Sequence, residues 1–370
     1  MAALLKRSRN PDDFESDTDD SDTVYSQSSC GFDAPPTVSS NTSYTRSMRS
    51  SSPVGSVWSL TDSIREAAYK QEYGRELNSY SEVYRLPADA EERERLEHQH
   101  TMFMEIMGKY SAPLPSVLAN DTPGETKAIL DLGCGTGSWI LDAANDFPHC
   151  NAVAVDLVPM QSPNMPLNCR SEVDDINLGL EHFYGDFNVV HARLISSGIK
   201  DFPNLINQIA HVLRPGGLVD LMEWDFGCYD EWYQPIRLDT STIAGPWWPR
   251  WLAFLKLAAR NRGGSVDAAD TMYHCIKDNP LFDDVVYRTF YIPASPWDKN
   301  NAFNMHIGYE MQKDISSFLR AGRPLLLGSG MPENLLAELE MNAYREVAEA
   351  RGRHYIRVQC VYATKRDHRP

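Results

Sequence analysis

The chain has 370 residues, which is long enough for one large domain with additions or for two domains. Its formal charge of −16 disfavours an extended nucleic-acid interface, because an acidic surface repels phosphate groups. No apolar run approaches the roughly 18 residues of a membrane span, and the start "MAALLKRSRN" lacks the apolar stretch of a secretory signal. We therefore expect a cytoplasmic protein without direct contact to membrane or nucleic acid.

The seven cysteines are widely spaced and include no C-x-x-C pair. This spacing predicts neither a disulfide framework nor a metal site.

Residues 1–58 form a segment rich in serine and aspartate, as in "PDDFESDTDDSDT". Its apolar residues are too few to offset the entropy of ordering, so we expect a disordered tail. The cluster "KRSR" at Lys6–Arg9 is a candidate nuclear-import signal, which makes the nucleus the alternative location.

Residues 59–120 are predicted to be an N-terminal helical segment. A first helix begins at a cap at Thr61 or Asp62 in "TDSIREAAYKQEYGRELN". A second follows Pro87, and acidic residues crowd its first turns. Apolar and aromatic positions recur there at helical spacing, namely Leu96, His100, Phe103 and Met107.

From residue 121 to 226 apolar strands alternate with helices. The strands are "KAILDLG", "NAVAVDL", "RSEVDDI", "DFNVVHARL" and "LVDLMEWDF", and "RPGG" ends the helix before the last one. This alternation predicts parallel strands joined by right-handed crossovers, and therefore an α/β, doubly wound sheet.

Residues 227–370 are less regular. Four aromatic residues fall in one short helical stretch, Trp247, Trp248, Trp251 and Phe254. "FDDVVYRTFYIP" and "YIRVQCVYATKR" are predicted late strands, and "MPENLLAELEMNAYREVAEARG" is the helix between them.

The loop "LDLGCGTGSW" places three glycines after the first predicted strand, where they allow a ligand to approach the backbone closely. Gly133, Gly135 and Gly137 form G-x-G-x-G, whereas the dinucleotide pattern G-x-G-x-x-G needs glycine at position 138, which is serine. No Gly-Lys-Ser/Thr follows, so a P-loop is excluded. S-adenosylmethionine fits better, because it has no pyrophosphate and offers an amine, a ribose and an adenine.

Carboxylates at successive strand ends match these groups. Asp131 suits the amine, and Asp156, 25 residues further on, suits the vicinal ribose hydroxyls. Asp174 and Asp175, after the next strand, can accept from the adenine amino group.

Together, "ILDLGCGTGSWILDAANDFPHCNAVAVDLVPMQSP", "NCRSEVDDI", "FNVVHARL" and "HVLRPGGLVDLMEWDF" resemble the class I S-adenosylmethionine-dependent methyltransferases. More narrowly, with "EYGRELN" and "YRLPADAEERERLEHQH" upstream, the chain resembles the fungal LaeA-like group. The resemblance implies a Rossmann-like, seven-stranded sheet with N-terminal helices and a helical, aromatic insertion after the fifth strand.

The resemblance also implies residue roles. Asp131, Gly133, Gly135 and Gly137 would hold the methionine end; Asp156 would bind the ribose; Asp175, flanked by Ile176, would bind the adenine; and His191 would lie near the sulfonium. Tyr73 and Arg75 would close over the cofactor, with Arg75 meeting its carboxylate.

The candidate general bases are His191 and Glu223, both at carboxyl ends of predicted strands. A structural role is the alternative for each. His306 and Tyr309 are candidates for a lid, and Trp247, Trp248 and Trp251 either line an acceptor pocket or pack the insertion onto the sheet.

Two functions remain open. The first is an enzyme that methylates a small molecule of fungal secondary metabolism. The second is a LaeA-like nuclear regulator of secondary metabolism and development, acting in a protein complex. A nicotinamide dehydrogenase is disfavoured by Ser138.

Overall fold

The computed structural model describes residues 61–162, 164–239 and 243–367, so the predicted tail 1–58 lies outside the described residues. The helices are α1 Asp62–Ala67, α2 Ala90–Met107, α3 Leu114–Val117, α4 Ser138–Asp146, α5 Phe202–Val212, α6 Trp247–Asn261, α7 Ala268–Lys277, α8 Ala302–Ala321, α9 Arg323–Gly328 and α10 Glu333–Ala348. The strands are β1 Tyr69–Glu72, β2 Arg75–Asn78, β3 Ala128–Leu132, β4 Asn151–Asp156, β5 Cys169–Val173, β6 Phe187–Arg193, β7 Leu213–Trp224, β8 Phe282–Pro293 and β9 Tyr355–Lys365.

Seven strands form one sheet in the order β5-β4-β3-β6-β7-β9-β8. The first five in that order pair in parallel, whereas β9 is antiparallel to both β7 and β8. The order reverses between β3 and β6, and ligands bind at such a switch point in doubly wound sheets. The predicted α/β fold with a seven-stranded, Rossmann-like sheet is confirmed.

Each face of the sheet has its own hydrophobic core, because successive strand side chains point to opposite faces. Ile129 of β3 packs with α3 and α4 residues such as Trp139. Its neighbour Leu130 packs on the other face with α5 residues such as Ile206. A third core joins α2, α6, α8 and α10 to the ends of β7 and β9. The third core therefore covers the carboxyl ends of the central strands.

The predicted N-terminal helical segment contains a β-hairpin, so that expectation was wrong for residues 69–78. Helix α1 stops at Ala67, and β1 and β2 pair with Glu72 opposite Arg75. The two-residue turn between them, Tyr73-Gly74, has positive φ at both positions, 51° and 75°. A glycine at such a turn favours a hairpin with matching strand twist over a continuing helix.

Strand β7 begins at Leu213, five residues before the predicted start. Leu213 already pairs with Phe187, and a register shift between Phe187 and Val189 absorbs the "RPGG" segment. The sheet therefore continues through residues whose local preference is a turn. Helix α8, with 20 residues, was not predicted.

Among the described residues, no helix is long and apolar enough to cross a lipid bilayer.

Candidate functional site

A cavity of about 220 Å³ lies at the carboxyl ends of β3, β4, β5 and β6. Residues of α2 and α8 also line it. Its polar half is formed by strand-end residues, Asp131, Gly133, Gly135, Asp156, Asp174, Asp175 and Ile176. Its apolar half is formed by lining residues that belong to, or pack against, the third core, namely Phe103, Leu194, Trp224, Phe226, Trp248, Met311, Ile315, Phe318, Ile356 and Val358. The cavity thus joins two chemically different compartments.

The glycine loop follows β3 and passes beneath the end of β6. Gly133 has φ +70°, and a Cβ built on it would lie 2.5 Å from Cγ2 of Ile195. Any side chain there would displace the segment after β6. Gly137 starts α4 with φ +80°, and its Cβ would meet the Met160 sulfur. Gly137 does not line the cavity, so it shapes the turn and offers no contact surface of its own.

Asp131 and His191 form a buried pair across neighbouring strands. The Asp131 Oδ1 and His191 Nδ1 atoms are 2.7 Å apart. The indole of Trp139 stacks on the imidazole, with ring centres 3.7 Å apart and planes within 6°. Both residues line the cavity. One ring nitrogen of His191 is therefore engaged in orienting Asp131, as the structural alternative requires.

Asp156 ends β4 and turns its carboxylate to the glycine loop. Oδ2 accepts from the Gly135 amide at 2.8 Å, and Oδ1 accepts from the Val158 amide at 3.3 Å. Burial is the main cause that raises the pKa of Asp156 to about 6, while these amide donors act in the opposite direction. The carboxylate is thus fixed at the cavity wall with acceptor capacity left over.

Asp174 and Asp175 follow β5 beside Asp156, because the Asp174 amide donates to the Asp156 carbonyl at 3.0 Å. Asp175 caps a short 3-10 turn, accepting from the amide and the side chain of Asn177. Burial raises the pKa of Asp174. Both carboxylates line the cavity together with Ile176, so the structure brings this predicted group to one wall.

The Glu223 carboxylate is engaged with the loop after β6. Its carboxylate accepts from the Ile195 and Ser196 amides at 2.8 and 3.0 Å and from the Ser196 hydroxyl at 2.7 Å. Burial raises its pKa to about 7 despite these donors. Glu223 does not line the cavity, so we withdraw it as a candidate base; it holds the loop after β6.

Tyr73 and Arg75 also lie outside the cavity. Tyr73 is at the hairpin turn with 52 % of its surface exposed. Arg75 forms two hydrogen bonds to Asp89, at 2.6 and 2.8 Å, which place it at the start of α2. The N-terminal contribution to the cavity comes instead from Tyr69 and Tyr84.

The candidate lid residues do not reach the cavity either. His306 pairs with Glu105 at 2.8 Å, and Tyr309 is half exposed. Of the tryptophans in the insertion, Trp248 lines the cavity, whereas Trp251 is fully buried without reaching it. The two rings stack with centres 5.5 Å apart, so they both pack the insertion and shape the apolar half.

Sequence reasoning missed a charged cluster between α2 and α8. Arg95 donates to both carboxylate oxygens of Glu92, at 2.9 and 2.6 Å, and to Asp314 at 2.9 Å. All three are buried and line the cavity. Asp314 is 219 residues from Arg95, so no local sequence pattern predicts this pairing.

Arg193 was also missed. It stands at the carboxyl end of β6, lines the cavity and contacts the His100 ring nitrogen at 3.2 Å. Its place at a strand end, two residues after His191, was a signal that could have found it.

Residues 98–279 match the family described as Methyltransferase domain. The chain is 46 % identical over 308 residues to the secondary metabolism regulator laeA of Coprinopsis cinerea, covering 81 % of this chain and 76 % of that one. It is 29 % identical over 239 residues to the protein-methionine methyltransferase laeA of Emericella nidulans, covering 63 % and 59 %. Among solved structures it is similar to phosphoethanolamine N-methyltransferase 2 of Haemonchus contortus in complex with S-adenosyl-L-methionine, with 17 % identity, TM-score 0.39 and coverage of 73 % and 57 %. The chain therefore belongs to the LaeA-like family of S-adenosylmethionine-dependent methyltransferases.

Proposed function

We propose that the chain binds S-adenosylmethionine in the polar half of the cavity and methylates an amphipathic small molecule held in the apolar half. The observation that carries the proposal is the continuity of the two halves in one cavity. A methyl donor and an acceptor can meet only where their compartments join, and excluded water there prevents loss of the methyl group to hydrolysis.

The polar half offers partners for the amine, the ribose and the adenine of the cofactor. Asp131, oriented by His191, would accept from the amine. Asp156 would accept from the ribose hydroxyls, and Asp175 with Ile176 would contact the adenine. Gly133 and Gly135 line the cavity and would lie beside the methionine end.

When bound, S-adenosylmethionine supplies a methyl group that its sulfonium already activates, and a neutral sulfur leaves. The protein therefore has to align the acceptor and keep water out, and it needs a base only for an acceptor that must lose a proton. The apolar half, with its aromatic and aliphatic walls, supports a hydrophobic or aromatic acceptor.

The proposal is tested by incubating the full chain with trideuteromethyl-labelled S-adenosylmethionine and a fungal metabolite extract, followed by mass spectrometry. We expect a small molecule that gains one labelled methyl group, and no such product with the Asp156→Ala variant. Label found in no small molecule across extracts would contradict the proposal.

A second candidate is a LaeA-like nuclear regulator that acts in a protein complex. The name of the Coprinopsis cinerea relative, secondary metabolism regulator, supports the regulatory part of this candidate. The name of the Emericella nidulans relative adds protein methionine as an acceptor. Label on the chain itself or on a co-purifying protein, combined with nuclear enrichment of a tagged chain, would favour this candidate.

A further inference from the structure

One face of α8 forms part of the apolar half. Met311, Asp314, Ile315 and Phe318 all line the cavity, at the spacing of residues on a single helix face. Three of them are apolar and one is a carboxylate. The acceptor compartment is therefore not uniformly hydrophobic.

The carboxylate of Asp314 belongs to a cluster with an excess of negative charge. Arg95 is the only cation that hydrogen-bonds Glu92 or Asp314 among the described residues, and it serves both carboxylates. The other donor to Asp314 is the neutral amide of Gln99, at 3.4 Å. Exposed surface is 2 % for Glu92, 7 % for Arg95 and 5 % for Asp314, so water screens this excess little.

Burial also raises the pKa of Glu92, although Arg95 acts in the opposite direction. Holding the Glu92 carboxylate ionised is thus unfavourable in the protein alone. A cation in the cavity would offset it.

Aromatic rings surround the same compartment. Trp224 lies 4.4 Å from Phe226 and 5.6 Å from Phe318, centre to centre. The Arg95 guanidinium already lies 5.2 Å from the centre of the Phe318 ring. Aromatic faces next to buried carboxylates favour an organic cation over a neutral group of the same shape.

We propose that the acceptor is a small-molecule amine, whose methylated product is an ammonium ion stabilised by the Glu92–Arg95–Asp314 cluster and the aromatic rings. This inference rests on the proposed function. The nitrogen lone pair forms the bond to the methyl carbon, the carbon–sulfur bond breaks, and its electron pair stays on sulfur. The positive charge passes from sulfur to nitrogen; a tertiary amine keeps it, and a secondary amine later releases its N–H proton to water.

An amine reacts in its free-base form, so the proton that it carries at neutral pH must leave to water before the methyl transfer. Preorganised negative charge where positive charge develops lowers the barrier.

The test compares choline with its neutral carbon isostere, 3,3-dimethyl-1-butanol, by calorimetric titration of the full chain saturated with S-adenosylhomocysteine. We expect choline to bind at least about tenfold more tightly. Equal binding, or tighter binding of the neutral alcohol, would overturn the inference. If S-adenosylhomocysteine itself fails to bind, the proposed function fails as well, so the two failures are distinguishable.

Asp314→Asn removes the excess charge and keeps a hydrogen-bond acceptor for Arg95. We expect the preference for choline to fall at least threefold, to about the value that aromatic faces alone provide. Glu310→Gln is the matched control, because it removes the same charge from α8 at a residue that pairs with Lys313 and does not line the cavity. An unchanged preference in a folded Asp314→Asn variant, checked by thermal denaturation, would also overturn the inference.

Discussion

At the scale of single residues, the site depends on how each strand-end carboxylate is held. Asp131 is held by His191, and Asp156 by the Gly135 amide. Asp175 is held by the turn it caps. Glu223 also lies near a strand end, but its carboxylate binds Ser196 and stabilises the loop after β6. Position at a strand end selects candidates, and the hydrogen-bond partners separate ligand-facing groups from structural ones.

Asp156→Ala should weaken binding of S-adenosylhomocysteine by about 1–3 kcal/mol, because the ribose loses a charged acceptor. Calorimetry measures the change. Asp278→Ala, an exposed aspartate after α7, is the control and should bind as the wild type does. Unchanged affinity in folded Asp156→Ala protein would remove Asp156 from the ribose site.

Cofactor affinity should fall as the pH drops below about 6, because the pKa of Asp156 is raised to about 6 by burial and only the carboxylate accepts two hydroxyl donors. A proton then competes with the ligand, and affinity falls by up to about tenfold per pH unit. The free energy of unfolding of the ligand-free chain should change in the opposite direction and rise as the pH falls. The reason is that the folded chain binds this proton more readily than the unfolded chain does. Calorimetric titrations at pH 5 to 8 on the wild type and on Asp156→Asn test this prediction. The same dependence of affinity on pH in both proteins would show that Asp156 is not its cause.

His191→Ala should weaken S-adenosylhomocysteine binding by about 1 kcal/mol, because Asp131 loses the hydrogen bond that orients it. A general base would give a different signature, with unchanged cofactor affinity and reduced turnover. Measuring both quantities on the same preparation separates the two roles. Cofactor affinity equal to wild type would return His191 to the list of candidate bases.

At the scale of elements, helices distant in sequence build the acceptor side. The first amides of α6 have no side-chain cap of their own, since Pro246 precedes the helix. Glu346 of α10 accepts from the Trp247 amide at 2.8 Å and from the Trp248 amide at 3.2 Å. A carboxylate satisfies these donors and complements the helix dipole. Through this contact α10 fixes the turn of α6 that places Trp248 at the cavity.

Glu346→Ala should lower the free energy of unfolding by about 1–2 kcal/mol, as expected for loss of a helix cap. Choline binding should weaken with it, because Trp248 moves, whereas S-adenosylhomocysteine affinity should stay within about twofold. Urea denaturation and calorimetry measure these effects. Glu338→Ala, exposed on the same helix, is the control; equal stability of the two variants would show that the cap contributes nothing.

The sequence predicted those elements whose signals are local. β8 occupies the predicted "FDDVVYRTFYIP", and β3 and β4 carry the predicted Asp131 and Asp156 at their ends. The hairpin at Tyr73-Gly74 was missed because a good helix start upstream outweighed one turn signal. The pairing of Arg95 with Asp314 could not be found, since it exists only once α2 and α8 meet.

At the scale of the whole molecule, the parallel part of the sheet and the helices around it have separate tasks. The sheet presents carboxylates at its switch point, and α2, α6 and α8 close a largely apolar compartment over them. This division explains why the cofactor could be predicted from the sequence. The class of acceptor can be inferred only from the folded structure, because its compartment is built by helices that are distant in sequence. The match to the methyltransferase domain family shows the kind of reaction, and the acceptor has to be inferred from the cavity.

The central claim is that one cavity divides into a cofactor half and an acceptor half. A crystal structure of the chain with S-adenosylhomocysteine tests it most directly. We expect the ribose within hydrogen-bond distance of Asp156, the adenine beside Asp175 and Ile176, and the sulfur facing the aromatic rings. A nucleoside lying among Trp224, Phe226 and Trp248 instead would contradict the account.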